Sequence, residues 1–254
     1  MNAARAPKSR GALLVDMGNS RVKWRHTGVR NCDGSCPNES LVDGAPLSWR
    51  ALVPPKWVLI AAMPGQAPRE GLAAWCRGQW DVEARFADAL SEVPGLENRY
   101  ANPTQLGVDR WLALIAARRL GGGPVVVVDC GTAITVDLVD GTGVFHGGMI
   151  LPGRRLLESA FSERVAHLEL PAERPATFPA DNTADAIALG IEYAVVASLD
   201  RFIENCRPFT RDEPPTVYLT GGDGPWLSER WDHPHSVHGN LVLDGLNFLM
   251  EHEH

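Results

Sequence analysis

The chain has 254 residues, of which 44% are hydrophobic and 22% are charged, and its formal net charge is −7. This length corresponds to one large domain or two small ones, with enough apolar residues for an ordinary core. The negative charge disfavours a protein that wraps nucleic acid, because phosphate neutralisation needs an excess of lysine and arginine. A run of about 18 apolar residues is absent from the sequence, so no membrane span is predicted.

Residues 1–10 are polar and basic, and they precede an apolar segment too short to be the core of a signal peptide. We therefore predict a short disordered tail and a cytoplasmic protein. The five cysteines are odd in number and scattered along the chain, which favours reduced thiols over a disulfide framework.

The first strand-like segment, LLVDMGNSRVKWR at 13–25, contains a glycine-rich turn. An apolar run ends at Asp16, and the residues GNS and two cations follow. Glycine lets the backbone approach a ligand closely, and the N–H groups of such a turn can bind phosphate oxygens. Lys23 supplies positive charge for the same anion, whereas Asp16 requires an intervening cation such as Mg²⁺. Taken alone, the motif is equally compatible with an ordinary turn.

Strand and helix patterns alternate through the rest of the first half. The predicted elements are a buried strand at 57–63, a helix at 69–80, a strand at 82–87 and a helix at 107–120. The glycines at 121–123 then interrupt the chain, so we place a domain boundary there and predict domains at 11–121 and 122–254.

The second half of the chain repeats the motif of the first, an aspartate and a glycine-containing turn directly after an apolar strand. A β-branched run at 125–128 predicts a strand buried on both faces, and Asp129-x-Gly-Thr-Ala follows it as Asp16-x-Gly-Asn-Ser follows the first strand. The further predicted elements are a strand at 133–139, a hairpin at Asp140-Gly141, a long helix capped at Asn182-Thr183, a strand ending in Gly221-Gly222, and a C-terminal helix that can pack back on the first domain.

The ordered set of motifs resembles the type III pantothenate kinase family of the acetate and sugar kinase, Hsp70 and actin superfamily. The matching segments are DMGNSRVKW, GVDRW, VVDCGTAITVDLVD, GGMILPG, NTADAIALG and LTGGD. The resemblance implies an α/β fold of two ribonuclease H-like domains, each with a mixed sheet flanked by helices, and a nucleotide cleft between them. It also implies transfer of the ATP γ-phosphoryl group to pantothenate, the first step of coenzyme A biosynthesis.

The resemblance further implies which residues bind the nucleotide and its cations. ATP with Mg²⁺ and a monovalent cation, potassium or ammonium, are the implied cofactors. Asp129 would bind the monovalent cation, and Asp16 would contribute to the Mg²⁺ site. The implied nucleotide-binding residues are Asp16, Met17, Gly18, Asn19, Ser20, Arg21, Val22, Lys23, Thr132, Gly221 and Gly222.

For pantothenate, the resemblance implies a second set of residues and a homodimer. Asp109 would be the catalytic base, since the helix dipole and a neighbouring cation favour its ionised form. Arg110 has a planar guanidinium that matches a carboxylate. Thr183 would reach the pocket of the partner subunit. The implied substrate-binding residues are Tyr100, Gly107, Val108, Asp109, Arg110 and Thr183.

Two other functions remain open from the sequence. A small sugar or acetate-type kinase of the same superfamily is disfavoured by the GVDR segment. Proteins of this family have also been named as accessory factors for transcription, but direct DNA binding would need a basic surface. The histidine-rich segment HPHSVH at 233–238 lacks a framework of metal ligands and is predicted to be a surface loop.

Overall fold

The computed structural model describes residues 11–30, 32–62, 67–163 and 178–252, so the tail predicted at residues 1–10 lies outside the described residues. The strands are β1 (Ala12–Met17), β2 (Arg21–His26), β3 (Asp33–Pro37), β4 (Leu41–Val42), β5 (Ala45–Pro46), β6 (Trp57–Ala62), β7 (Ala84–Phe86), β8 (Glu97–Asn98), β9 (Val125–Cys130), β10 (Ala133–Val139), β11 (Val144–Pro152), β12 (Thr216–Thr220) and β13 (Ser236–Val237). The helices are α1 (Ala67–Trp80), α2 (Val108–Leu120), α3 (Arg154–Ser162), α4 (Thr183–Thr210), α5 (Gly224–Ser228) and α6 (Leu241–His252). Within these ranges, no helix has the length and apolar character needed to cross a membrane.

The two main sheets are built on the same plan. The first has the order β3-β2-β1-β6-β7, and the second has the order β13-β12-β9-β10-β11-β8. In each, three consecutive strands pair antiparallel, a fourth strand pairs parallel with the first of the three, and a fifth pairs parallel with the fourth. In the second sheet, β8 also adds parallel to β11. The prediction of two ribonuclease H-like units with mixed sheets flanked by helices is therefore confirmed.

The chain divides into two compact units. The first comprises the described residues up to Ser91, Asn102–Ala116 and those from Val242 onward, and the second comprises Glu92–Ala101 and Ala117–Leu241. Two contacts account for this division. The short strand β8 pairs with β11 and so belongs to the second sheet. Helix α6 packs so closely on α2 that a Cβ on Gly245 would collide with the Leu112 backbone.

The core of the first unit is rich in tryptophan. Trp49 is fully buried, with its ring 5.9 Å from Trp24, 5.9 Å from Trp75 and 5.7 Å from Trp80, measured between ring centroids. Helix α1 supplies Trp75 and Trp80 because its apolar residues recur at helical spacing and face the sheet. The region at 28–56, which carries no motif, thus contributes Trp49 to this core together with β3, β4 and β5.

The core of the second unit lies between its sheet and helix α4. In the apolar stripe that helical spacing predicts on α4, Ile191, Val195 and Leu199 are buried, whereas Ile187 and Phe202 are only partly buried. Asn182 caps its start: its side-chain oxygen accepts a hydrogen bond from the Asp185 N–H at 3.0 Å. The four consecutive valines of β9 are buried, which matches the strand buried on both faces that the β-branched run predicts.

Candidate functional site

The first glycine-rich turn joins β1 to β2 at one end of the first sheet. Register places Asp16 directly opposite Lys23 on the antiparallel pair, so their side chains project from the same face of the sheet. Both residues are half-buried. A carboxylate and an ammonium group are thereby held beside the turn, where the sequence predicts a phosphate and its cation.

The backbone of this turn is fixed by hydrogen bonds. The Gly18 N–H donates to the Arg21 carbonyl oxygen at 3.0 Å and closes the turn. Met17 and Val22 flank the turn but are buried in the core, so they can serve a ligand only through their backbone. Asn38, from the region without a motif, donates its side-chain amide to two carbonyl oxygens of the turn.

The GVDR segment forms the start of α2 in the first unit. The Gly107 carbonyl oxygen accepts the first bond of the helix, from the Trp111 N–H at 3.1 Å. Asp109 lies in the first turn, where negative charge is favoured by the helix dipole, and its Oδ1 accepts from the Arg110 N–H at 2.8 Å. The Trp111 indole N–H donates to the Ser91 carbonyl oxygen at 3.3 Å and anchors the segment. Arg110 is only 8% exposed, so this cation is held in a fixed place.

The second glycine-rich turn, in the second unit, joins β9 to β10. Its conformation is closed by a hydrogen bond from the Gly131 N–H to the Ala133 carbonyl oxygen at 3.0 Å. The Thr132 carbonyl oxygen accepts from the Gly153 N–H at 3.0 Å. Burial raises the pKa of the adjacent Cys130 thiol, and the charge of Asp129 raises it further. This thiol is therefore protonated at neutral pH.

Three segments that lie far apart in the sequence meet at this second turn. Gly221 has φ +87°, and a Cβ there would collide with Asp129 Oδ1 and with the Cys130 carbonyl oxygen. A Cβ on Gly153 would collide with the carbonyl oxygens of the turn itself. The structure therefore brings together Asp129, the Gly221-Gly222 turn and the end of β11, and only glycine permits this approach.

Two arginines at the start of α3 lie beside Asp223, which follows the Gly221-Gly222 turn. Arg155 Nη2 is 3.4 Å from Asp223 Oδ1, and Arg154 Nη2 is 3.9 Å from the same oxygen. Arg154 also lies over the ring of Trp226, 5.4 Å from its centroid. These two arginines are not among the residues predicted from the sequence. The available signal was their position directly after Pro152-Gly153 in the GGMILPG segment.

Tyr100 and Thr183 are both in the second unit. The ring of Tyr100 stacks on Phe145, with centroids 5.3 Å apart, and β8 holds it there. Thr183 is the exposed first residue of α4. It lines an apolar groove of about 410 Å³ between α3 and α4, together with Leu157, Phe161, Ala186, Ile187, Gly190, Ile191 and Ala194.

The histidine-rich segment packs on its own unit. The rings of His233 and His235 stack on Trp231, with centroid distances of 5.2 and 5.7 Å. His235 Nε2 is 2.8 Å from the Ser228 hydroxyl. In the part of the chain that the structure describes, no group of three or more His, Cys, Asp and Glu side chains could by itself hold a metal ion. A Mg²⁺ ion that binds together with a phosphate ligand needs only one or two protein carboxylates, since waters and phosphates complete its ligands, so the Mg²⁺ site expected at Asp16 needs no such group.

The two mixed sheets and their strand-end turns give this chain the fold of the acetate and sugar kinase, Hsp70 and actin superfamily. A Campylobacter jejuni structure, assigned to the Baf family of transcriptional activators, aligns with TM-score 0.62 at 21% identity and covers 95% of this chain and 98% of that one. A Sinorhizobium meliloti structure, assigned as a 2-dehydro-3-deoxygalactonokinase, aligns with TM-score 0.59 at 16% identity and covers 94% and 96%. At such identities the likeness shows the fold alone.

Sequence comparison defines the family within that class. The family model of type III pantothenate kinase matches residues 12–205. A type III pantothenate kinase from Acidovorax ebreus (strain TPSY) is 34% identical over a 250-position alignment, and the match covers 92% of this chain and 94% of that protein. This chain belongs to the type III pantothenate kinase family.

Proposed function

We propose that this chain transfers the γ-phosphoryl group of ATP to the primary hydroxyl of pantothenate, giving 4'-phosphopantothenate for coenzyme A biosynthesis. The observation that carries the proposal is family membership over most of the chain, together with glycine-rich turns at the ends of β1 and β9. All five cysteines are free thiols, which supports action in a reducing compartment such as the cytoplasm.

Phosphate binding is assigned to the two glycine-rich turns. The backbone N–H groups of the first turn bind phosphate oxygens, and Lys23 neutralises their charge. Thr132 of the second turn contacts ATP through its hydroxyl. Gly221 and Gly222 receive the adenosine against backbone, and the space that a Cβ of Gly222 would occupy is open.

Asp109 and Arg110 act on pantothenate. Arg110 binds the pantothenate carboxylate with its planar guanidinium. The pantothenate hydroxyl oxygen attacks the γ-phosphorus, the bond to the β,γ-bridging oxygen breaks, and ADP leaves. Asp109 accepts the hydroxyl proton late in this step, because the transition state of phosphoryl transfer is loose. Most of the acceleration therefore comes from positioning and from neutralisation of charge.

The two strand-end carboxylates are assigned to cations. Asp16 contributes to a Mg²⁺ site and Asp129 to a site for potassium or ammonium. Bound cations neutralise the negative charge of the phosphates when ATP is present. Gly221 supports the assignment of Asp129, because it packs against Oδ1 of that carboxylate and so restricts its position.

The working unit is proposed to be a homodimer that buries the groove between α3 and α4. The groove is lined almost entirely by apolar side chains, and Leu156, Phe161 and Tyr193 are exposed by 44%, 41% and 51%. An apolar patch of this kind is typical of an interaction surface. A second copy of the chain is the assigned occupant, because Thr183 lies in the groove and is predicted to complete the partner's pocket.

A coupled assay of ADP release tests the proposal. We expect ADP formation that depends on pantothenate and is absent with hexoses or acetate. Replacing potassium by sodium should raise the apparent KM for ATP or lower the rate, and an Asp129→Ala variant should be indifferent to the exchange. Equal rates with hexose and pantothenate would contradict the substrate assignment, and equal rates in sodium and potassium would contradict the cation assignment.

A further inference from the structure

Three consecutive carbonyl groups of the first turn accept hydrogen bonds from one residue, Asn38. Its side-chain Nδ2 donates to the Gly18 carbonyl oxygen at 3.0 Å and to the Asn19 carbonyl oxygen at 2.9 Å. Its backbone N–H donates to the Ser20 carbonyl oxygen at 3.0 Å. Carbonyl oxygens only accept, so the nitrogen of the amide must face them, and this fixes the orientation of the side chain.

This arrangement determines where the N–H groups of the turn are directed. A trans peptide group is planar, with its C=O and the N–H of the next residue on opposite sides. When Asn38 binds the carbonyls of residues 18 and 19, the N–H groups of residues 19 and 20 are directed to the opposite side. Consecutive N–H groups directed to one side form a concavity that binds anions. Asn38 also keeps three electronegative oxygens away from that side.

Packing alone does not explain why the residue at position 38 is an asparagine. Its Oδ1 is buried and has no hydrogen-bond partner among the described residues. A buried acceptor without a partner costs free energy. Leucine has the same branched shape and the same number of side-chain heavy atoms, and it would avoid this cost. The amide is thus retained for the hydrogen bonds that it donates to the turn.

We propose that Asn38 is a positioning residue for ATP: it presents the N–H groups of the first turn to the phosphates. It acts through the turn and not on the reacting atoms. The inference rests on the proposed function, and it gives a role to a segment at 28–56 in which the sequence alone indicates none.

The test compares Asn38→Leu and Asn38→Ala with a matched control, Asn247→Leu. Asn247 lies half-buried on α6, away from the first turn, and its amide donates a solvent-exposed hydrogen bond to Glu251 at 2.8 Å. The measurements are the KM values for ATP and pantothenate, the melting temperature, and the calorimetric Kd for a non-hydrolysable ATP analogue. We expect both Asn38 variants to raise the KM for ATP and the Kd for the analogue about tenfold, equivalent to about 1.4 kcal/mol. The KM for pantothenate should stay at the control value.

Two results would overturn the inference. One is unchanged affinity for the analogue in both Asn38 variants. The other is an equal loss for ATP and pantothenate that follows a fall in melting temperature, which indicates general loosening of the unit. If Asn38→Leu does not fold, Asn38→Ala decides alone. A wild-type protein that binds the analogue but forms no ADP with pantothenate refutes the proposed function, and the calorimetric comparison still decides the role of Asn38.

Discussion

At the scale of single residues, the catalytic proposal depends most on Asp109. Asn retains the shape of this side chain and can still accept the 2.8 Å hydrogen bond from the Arg110 N–H, but it cannot take the substrate proton. We expect Asp109→Asn to bind ATP normally and to lower kcat by about 10²–10⁴-fold, the usual contribution of general-base catalysis. Steady-state kinetics and calorimetric ATP binding provide the measurement.

A second aspartate serves as the control for Asp109. Asp43 is exposed on a turn, with φ 54°, and pairs with Arg50 at 2.7 Å. Asn tolerates this backbone conformation, so Asp43→Asn should leave kcat unchanged. Near-normal turnover in a folded Asp109→Asn protein would exclude Asp109 as the base.

Asp140 gives a pH-dependent contribution to stability. Burial disfavours its ionised form, but hydrogen bonds from His146 and Thr142 outweigh burial and lower the pKa of the carboxyl below its usual range. A lowered folded-state pKa stabilises the protein above the unfolded pKa of about 3.9, and this stability is lost as the pH falls toward the folded value. We expect Asp140→Asn to lower the free energy of unfolding by about 2 kcal/mol at pH 7.

Urea unfolding of the wild type and of Asp140→Asn, from pH 7 down to pH 3, measures this contribution. The difference between the two proteins should shrink below about pH 4, where the unfolded carboxyl becomes protonated. A difference that stays constant over the whole range would show that ionisation of Asp140 does not contribute.

At the scale of elements, the contact between α2 and α6 depends on one glycine. A Cβ on Gly245 would lie 2.7 Å from the Leu112 carbonyl carbon and 2.9 Å from its Cα, and backbone atoms cannot rotate away. We expect Gly245→Ala to lower the free energy of unfolding by about 1–3 kcal/mol, despite the better helix propensity of alanine.

Thermal and urea unfolding check the Gly245 prediction against Gly78→Ala. Gly78 is a helical glycine of the same unit, on α1, and a Cβ there would meet nothing within 4 Å. Alanine at this control site should stabilise by up to about 1 kcal/mol. If both substitutions stabilise, then α6 does not pack on α2 as closely as the structure indicates.

The sequence predicts elements well where one physical signal dominates. The β-branched run of β9 and the alternation of β10 predict these strands, because burial on a sheet face selects such patterns. Strand β3, with the sequence DGSCP, carries no such signal. It forms because β2 offers it a backbone ladder from Arg21 to Arg25. Partners supplied by tertiary structure are not visible in a local pattern.

The same limit applies to the candidate site. The glycine-rich turns and GVDR are contiguous motifs and could be recognised in the sequence. The hydrogen bonds of Asn38 to the first turn link residues about 20 positions apart, and the approach of Gly221 to Asp129 joins β12 to β9. Neither follows from spacing along the chain, because each depends on the order of strands in a sheet.

At the scale of the whole molecule, the proposed dimer predicts that two defective chains restore each other. Mixing Asp109→Asn with Thr183→Trp gives heterodimers with one intact site and one doubly damaged site, if Thr183 serves the partner's pocket. Random exchange makes about half of the dimers heterodimeric, so about a quarter of wild-type activity should return. Activity is measured after subunit exchange has been verified.

Each variant assayed alone is the control for that experiment, and it should stay inactive at every concentration tested. Sedimentation equilibrium at the assay concentration gives the state of assembly independently. A monomer in sedimentation, or no recovery of activity after subunit exchange, would contradict both the proposed dimer and the proposed role of Thr183 in the neighbouring site.

The packed tryptophans of the first unit also make the optical signals of the two units unequal. Trp75 and Trp80 lie 4.7 Å apart, centre to centre and nearly perpendicular, and both contact Trp49, whereas the second unit contains only Trp226 and Trp231. Rings this close couple their electronic transitions and exchange excitation energy, so circular dichroism and fluorescence anisotropy report mainly on one half of the chain. Comparing these signals with amide circular dichroism during denaturation reveals whether the two halves melt together, because coincident curves are the mark of a two-state transition.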